Sequence, residues 1–166
     1  MSKGNTRNPR DEPIYICLIS IHGLIRSGDL ELGRDADTGG QTKYVVEVAQ
    51  ALANQPGVEK IDLVTRLVSD PEVSTDYASP TEDLCPNARI IRINTGSTEY
   101  IPKESLWDHL DAFVDNTINY LQGQERLPDL LHSHYADAGY VGSRISHILG
   151  IPLIHTGHSL GRVKRR

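Results

Sequence analysis

One strand-to-helix unit constrains the fold of this chain more than any other feature. An apolar run, Ile14–Ile21, leads into a polar loop that ends in two adjacent glycines, Gly39 and Gly40. A helix pattern follows over Thr42–Asn54, with apolar residues spaced at i, i+3, i+4 and i+7 from Val45. Glycine lets backbone approach a ligand closely, and the free N–H groups of a helix start favour negative charge. The unit therefore predicts a site for an anionic ligand.

Strand-like and helix-like segments alternate along the rest of the chain. Strands are predicted at Ile14–Ile21, Ile61–Arg66, Arg89–Asn94, Asp129–His134 and Ile151–Thr156. Helices are predicted at Thr42–Asn54, Glu104–Gln122 and Ala138–Leu149. This alternation indicates an α/β fold, a parallel sheet with covering helices. Residues 1–13 are predicted to be a flexible tail, and residues 67–88 an irregular excursion outside the core.

Polar loops follow the predicted strands. In a doubly wound sheet, ligands bind at the carboxyl ends of the strands. The loops at that edge are Ser20–Thr38, Asn94–Lys103, His134–Asp137 and Thr156–Lys164. We therefore expect the functional side chains to lie in these four segments.

Composition excludes several classes of protein. The net charge of −5 argues against a nucleic-acid partner, and no apolar run is long enough for a membrane span. The first residues lack the apolar core of a signal peptide, which makes a cytoplasmic location the default expectation. Two cysteines do not make a disulfide framework, so Cys17 and Cys85 are expected to be reduced.

Four ordered segments resemble the signatures of one enzyme family. They are Gly33–Glu47, Tyr100–Trp107, His134–Gly139 and Thr156–Arg162. Together they resemble sucrose-phosphate synthases over roughly residues 14–166. Sucrose synthases share the Thr-Gly-Gly-Gln core, but the Leu-Gly-Arg-Asp lead-in and the Gly-His-Ser-Leu-Gly motif favour the phosphate-using branch.

The resemblance implies a retaining glycosyltransferase whose two Rossmann-like domains face each other across a cleft. Such an enzyme transfers glucose from UDP-glucose to fructose 6-phosphate and releases UDP, with no further cofactor required and a magnesium requirement left open. Residues 14–166 would be a partial N-terminal acceptor domain, without the C-terminal donor domain. We therefore expect a truncated enzyme that is inactive alone. Two alternatives stay open: a non-catalytic sugar-phosphate-binding fragment, and a sucrose synthase-like enzyme that uses free fructose.

The resemblance also assigns roles around the glycine pair. Gly39 and Gly40 would bring backbone N–H groups to the UDP diphosphate, and the alternative is a tight turn with no ligand. Gln41 resembles a residue that binds the fructose moiety. Because Thr38 and Gln41 are three positions apart, a capping box is the competing interpretation of Gln41.

The other assigned residues lie at later strand ends. By resemblance, Lys103 and Lys164 contact the acceptor phosphate, although each is also a plausible solvated surface lysine. Tyr135 and Asp137 are placed near the acceptor sugar, and Asp137 is alternatively the cap of the helix Ala138–Leu149. His158 faces the sugars as the candidate catalytic residue, a hydrogen-bond donor or general acid.

The remaining histidines of this region are interpreted separately. We expect His132 and His134 to lie on opposite faces of their strand, with His132 structural and His134 lining the cleft. His155 is expected to be packed within its strand. No histidine spacing matches a zinc site, so no metal site is predicted.

Overall fold

The described part of the chain, residues 12–158 of a computed structural model, is built around one six-stranded sheet. The strands are β1 (Ile14–Ile19), β2 (Val58–Arg66), β3 (Thr81–Cys85), β4 (Ala88–Ile93), β5 (Leu130–His134) and β6 (Leu153–Thr156). The α-helices are α1 (Gly40–Ala53), α2 (Leu110–Gln122) and α3 (Tyr135–Leu149). Two short 3₁₀ helices cover Thr75–Ala78 and Leu106–His109.

The strand order is β3-β4-β2-β1-β5-β6. Only β3 runs antiparallel to its neighbour, and the other five strands are parallel. The chain moves from β1 to one side to form β2 and β4, and it returns to the other side of β1 for β5. Such a reversal leaves a crevice between β1 and β5 at their carboxyl ends, where doubly wound sheets bind ligands.

Both faces of the sheet are apolar because helices cover each of them. Along β1, Ile16 and Leu18 pack towards α1, whereas Cys17 and Ile19 pack towards α2 and α3. Continuous apolar strands of this kind are typical of a parallel sheet buried on both faces. The predicted α/β fold with covering helices is confirmed.

The prediction for residues 67–88 was wrong. The segment contains β3 and a 3₁₀ helix, and its Val68 and Tyr77 are buried with Leu24 in a small third cluster. β3 was not predicted because its residues, Thr-Glu-Asp-Leu-Cys, are mostly polar. An edge strand with partly exposed side chains has no need of an apolar pattern.

The helices begin at other residues than the sequence predicted. α1 and α3 start before Thr42 and Ala138, at Gly40 and Tyr135, and the predicted helix at Glu104 begins as the 3₁₀ turn Leu106–His109. The predicted tail, apart from residues 12 and 13, lies outside the described residues. No helix within residues 12–158 has the length and apolar character needed to cross a bilayer.

Candidate active site

The glycine pair opens α1 at the carboxyl edge of the sheet. Gly39 is the N-cap and Gly40 the first residue of the helix, and neither has a positive φ. A Cβ added at either glycine would meet nothing within 4 Å. Backbone conformation and packing therefore give no reason for glycine at these two positions. The exposed helix start leaves room for a ligand to approach the backbone, and the ligand role of Gly39 and Gly40 stays a prediction.

Gly23, in contrast, is required by the backbone itself. Its φ is +81°, and a Cβ there would lie 2.5 Å from the Asp37 carbonyl oxygen and 2.8 Å from Cγ2 of Thr42. This close contact holds the turn after β1 against the loop that carries Asp37. The turn and the glycine loop (Gly33–Gln41) thus form one packed unit.

Gln41 points back towards the end of β1. Its Nε2 donates to Oγ of Ser20 at 3.1 Å. Thr38 is not the N-cap, and its hydroxyl bonds with the backbone of Asp35 instead. The capping-box interpretation of Gln41 was therefore wrong, and the acceptor role of Gln41 stays a prediction.

Lys103 is bound to the glycine loop by an ion pair. Its Nζ lies 2.7 Å from Oδ1 of Asp37, and its backbone N–H donates to Oδ2 of the same carboxylate at 2.7 Å. Burial raises the pKa of Asp37, but the two hydrogen bonds from Lys103 outweigh burial and leave it below its ordinary value. Lys103 thus has a fixed position at the site rather than that of a solvated lysine.

His22 and Asp137 join the ends of β1 and β5. The His22 Nδ1 lies 2.8 Å from Oδ2 of Asp137, and both residues are almost fully buried. The Tyr135 ring packs edge-on against His22 at 4.5 Å between centroids. Asp137 lies in the first turn of α3 and not at its N-cap, which is His134, so the capping alternative was wrong. A carboxylate in this turn is favoured by the helix dipole.

Four histidines cluster where β5 and β6 end. His132 and His134 share one face of β5, with ring centroids 4.1 Å apart. The prediction of opposite faces was wrong, because side chains two positions apart along a strand point the same way. His155 was predicted to be packed, yet it is exposed and bonds through Nδ1 to Oγ of Ser133 at 2.9 Å. Among residues 12–158, no group of side chains is arranged as metal ligands.

His158, the candidate catalytic residue, contacts one residue of β5 and one of α1. Its Nε2 lies 3.1 Å from Nδ1 of His134, and its ring meets that of Tyr44 at 5.1 Å. Burial, together with the neighbouring histidines, lowers the pKa of His134 to about 3. His134 is therefore a neutral partner of His158 near pH 7. Burial also lowers the pKa of His158.

Two site residues have unusual backbone angles. Tyr135 and His158 adopt φ values of +75° and +54°. The left-handed region costs a residue with a Cβ about 1–2 kcal/mol. Such strain concentrates at functional sites, where the surrounding structure maintains it.

A cavity of about 210 Å³ lies between these loops. Lys103, Tyr135 and Asp137 line it, together with Glu104 and the half-exposed ring of Trp107. The cavity thus brings together the predicted residues Lys103, Tyr135 and Asp137, which come from two separate loops. Lys164, also predicted to bind the acceptor phosphate, lies outside the described residues.

Two residues of this site, His22 and Asp37, were not predicted from the sequence. His22 directly follows β1 in the Ser-Ile-His-Gly segment, so its place at the carboxyl edge was a usable signal. Asp37 gave no comparable signal, because its partner Lys103 is 66 positions away.

A doubly wound domain whose strand ends carry a glycine pair, a fixed lysine and paired polar residues has the form of a GT-B glycosyltransferase domain. Residues 12–166 match the family model described as the sucrose synthase first GT-B domain. The chain belongs to this family.

Individual relatives agree with that assignment. Sucrose-phosphate synthase 4 of Arabidopsis thaliana is 49% identical over 91% of this chain, and sucrose-phosphate synthase of Zea mays is 44% identical over 93%. The structure of sucrose-phosphate synthase from Thermosynechococcus elongatus matches 91% of this chain with a TM-score of 0.74 and 32% identity. The chain covers 34% of that structure, and 16% and 17% of the two plant relatives. It therefore spans about a sixth of the length of these curated relatives.

Proposed function

We propose that this chain is the acceptor-binding part of a sucrose-phosphate synthase. The proposed enzyme transfers glucose from UDP-glucose to fructose 6-phosphate, giving sucrose 6-phosphate and UDP. The observation that carries the proposal is that Lys103 and Asp137 line one cavity at the carboxyl edge of the sheet, while an ion pair with Asp37 joins Lys103 to the glycine loop. The names of the relatives support the choice of substrates.

The chemistry of Lys103 supports a phosphorylated acceptor. An ammonium group has three N–H donors, and one of them is directed at Asp37. The other two can bind phosphate oxygens without breaking this ion pair. Because Asp37 already fixes the side chain, little rotamer freedom is lost when the phosphate binds.

The remaining residues divide between the two substrates. The first N–H groups of α1, at Gly39 and Gly40, bind the diphosphate as charge develops on the leaving UDP. Gln41, Tyr135 and Asp137 hold the fructose. His158 faces the bond that forms and donates a hydrogen bond there, and Lys164 adds a second positive charge near the phosphate.

Cofactor and location are part of the same proposal. The reaction needs no organic cofactor, and the enzyme works in the cytoplasm. Comparing the rate in EDTA with the rate in added Mg²⁺ tests the metal dependence directly.

A chimera tests the function. Residues 12–166 replace the matching segment of the Thermosynechococcus elongatus enzyme, and UDP release is followed with UDP-glucose and each acceptor. We expect turnover with fructose 6-phosphate at a kcat/KM at least about tenfold above that for fructose. Lys103→Ala removes this preference, whereas Lys43→Ala, on an exposed part of α1, leaves it intact.

The family model favours one second candidate, because its description names sucrose synthase. Under this candidate, the acceptor is free fructose. Equal or better turnover of fructose by the chimera, unaffected by Lys103→Ala, establishes this second function and overturns the first.

A further inference from the structure

Arg66 lies at the carboxyl end of β2, directly behind the segment that carries Lys103. Its side chain is buried, with 3% of the residue exposed. Nη1 donates to the carbonyl oxygen of Ile101 at 2.6 Å, and the guanidinium carbon is 4.8 Å from the centre of the Tyr100 ring. Both contacts are to residues just before Lys103 in the chain.

Two nitrogens of this guanidinium have no hydrogen-bond partner within residues 12–158. Nε and Nη2 are sealed from solvent and make no hydrogen bond. Unpaired buried donors destabilise a fold, and an apolar side chain of similar size would avoid that penalty. Burial lowers the pKa of Arg66, while Tyr100 and the carboxylates of Asp37 and Asp137 act in the opposite direction. Stability of the core therefore does not account for an arginine here.

The far side of the same segment is held by the glycine loop. The Tyr100 hydroxyl donates to Oδ2 of Asp35 at 2.8 Å, and Lys103 bonds to Asp37 through both its backbone N–H and its Nζ. The segment Tyr100–Lys103 is thus clamped between the glycine loop and the Arg66 side chain. If Arg66 is removed, the segment loses its contacts with the end of β2 and keeps those with the glycine loop.

We propose that Arg66 is a positioning residue that holds the Tyr100–Lys103 segment, so that the Lys103 ammonium meets the acceptor's anionic group. The proposal rests on the proposed function, since it assigns Lys103 to that group. Arg66 does not itself touch the acceptor, because its unpaired nitrogens are closed off from solvent. It acts through Lys103 and determines the preference for a phosphorylated acceptor over a neutral one.

The matched control is a second buried arginine of the same sheet. Arg92 of β4 is also 3% exposed, but its guanidinium bonds to the carbonyl oxygens of Ile25 and Ser79 and to Glu82. Both Arg66→Met and Arg92→Met remove a buried charge, and Arg92→Met also breaks three hydrogen bonds. Of the two, only Arg66→Met removes a direct contact with the Tyr100–Lys103 segment.

Kinetics in the chimeric enzyme test the proposal. We expect Arg66→Met to raise the KM for fructose 6-phosphate about tenfold, with kcat and the KM values for UDP-glucose and fructose changed by less than about twofold. In a Lys103→Met background, Arg66→Met adds less than about twofold, because the two residues act as one unit. Additive effects in this cycle, or a rise of the same size from Arg92→Met, overturn the proposal.

Two further measurements keep the test decisive. Arg66→Lys retains a buried cation, yet an ammonium cannot bond Ile101 and cover Tyr100 at once, so we expect the same selective rise in KM. An unchanged KM for this variant overturns the proposal even if Arg66→Met does not fold. Hydrogen–deuterium exchange needs no substrate. Residues 98–105 should exchange faster in the Arg66 variants than in Arg92→Met, and unchanged protection overturns the positioning role whether or not fructose 6-phosphate is the acceptor.

Discussion

Gly40→Ala separates the ligand role of the glycine pair from a folding role. Gly40 is the first residue of α1, its φ is not positive, and an added methyl group meets no atom within 4 Å. Alanine also restricts the unfolded chain more than glycine does. We therefore expect Gly40→Ala to stabilise the fold by about 0.4–1 kcal/mol. For a domain of this size, this corresponds to a rise in Tm of about 1–4 °C.

Activity should change in the opposite direction. The methyl group occupies the space in which the diphosphate would meet the helix start, and a displacement of about 1 Å at a reacting group can cost about 100-fold in rate. The assay is UDP release by the chimera with fructose 6-phosphate, together with thermal unfolding of the chain followed by circular dichroism. The expected result is a variant that is at least as stable as the parent and at least about tenfold less active.

Two other glycines calibrate this experiment. Gly33 has a φ of +79° and open space around its Cβ position, so Gly33→Ala should lose about 1–2 kcal/mol from the backbone angle alone. Gly23→Ala adds the 2.5 Å clash with the Asp37 carbonyl and should lose more. If Gly40→Ala destabilises the chain as Gly33→Ala does, or if it keeps full activity, the reasoning from open space to ligand is refuted.

The remaining predictions concern charge and pH. Lys103→Ala should raise the KM for fructose 6-phosphate about tenfold in steady-state kinetics, with less effect on UDP-glucose; an equal loss for both substrates contradicts its role. The pKa of Asp37 lies below its ordinary 3.8, so its stabilisation is present above that value and is lost as the pH falls further. Thermal unfolding of Asp37→Asn should accordingly depend less on pH below about 4 than that of the parent. The pKa of His134 falls from 6.5 in the unfolded chain to about 3, so the unfolded state binds the proton first and stability drops as the pH falls through that window. His134→Asn should lose less Tm between pH 7 and pH 5, and an unchanged slope would argue against a buried neutral ring.

The sequence predicted the sheet better than its edges. Five of the six strands were predicted, and the clearest signal was that of β1, which is continuously apolar because both faces of the sheet are covered. β3 was missed because it is held by pairing to β4 and needs no apolar pattern. The start of α3 was misplaced because no side chain caps it, and the sequence offered Asp137 as the conventional cap.

At the site, the sequence indicated which loops carry the functional residues but not which side chains pair with one another. The resemblance assigned roles to Gly39, Lys103 and Asp137, and the position of their loops after predicted strands indicated only which edge of the sheet they occupy. The pairs His22–Asp137 and Asp37–Lys103 could not be predicted, because side chains 115 and 66 positions apart meet only once the sheet order is known. In the sequence, Arg66 is the last residue of a predicted strand. Its proposed role depends on the Tyr100–Lys103 segment, which packs against its side chain.

The strand order also makes the crevice a property of the whole domain. β1 pairs with β2 on one side and with β5 on the other, and Tyr15 of β1 bonds to Asp129, 114 positions away, immediately before β5. A domain generally folds as a unit, so the sheet is continuous only once β5 has been synthesised and has paired with β1. Pairing of β5 closes a long loop and is correspondingly slow. The crevice between β1 and β5 therefore forms together with the contact of largest sequence separation along β1.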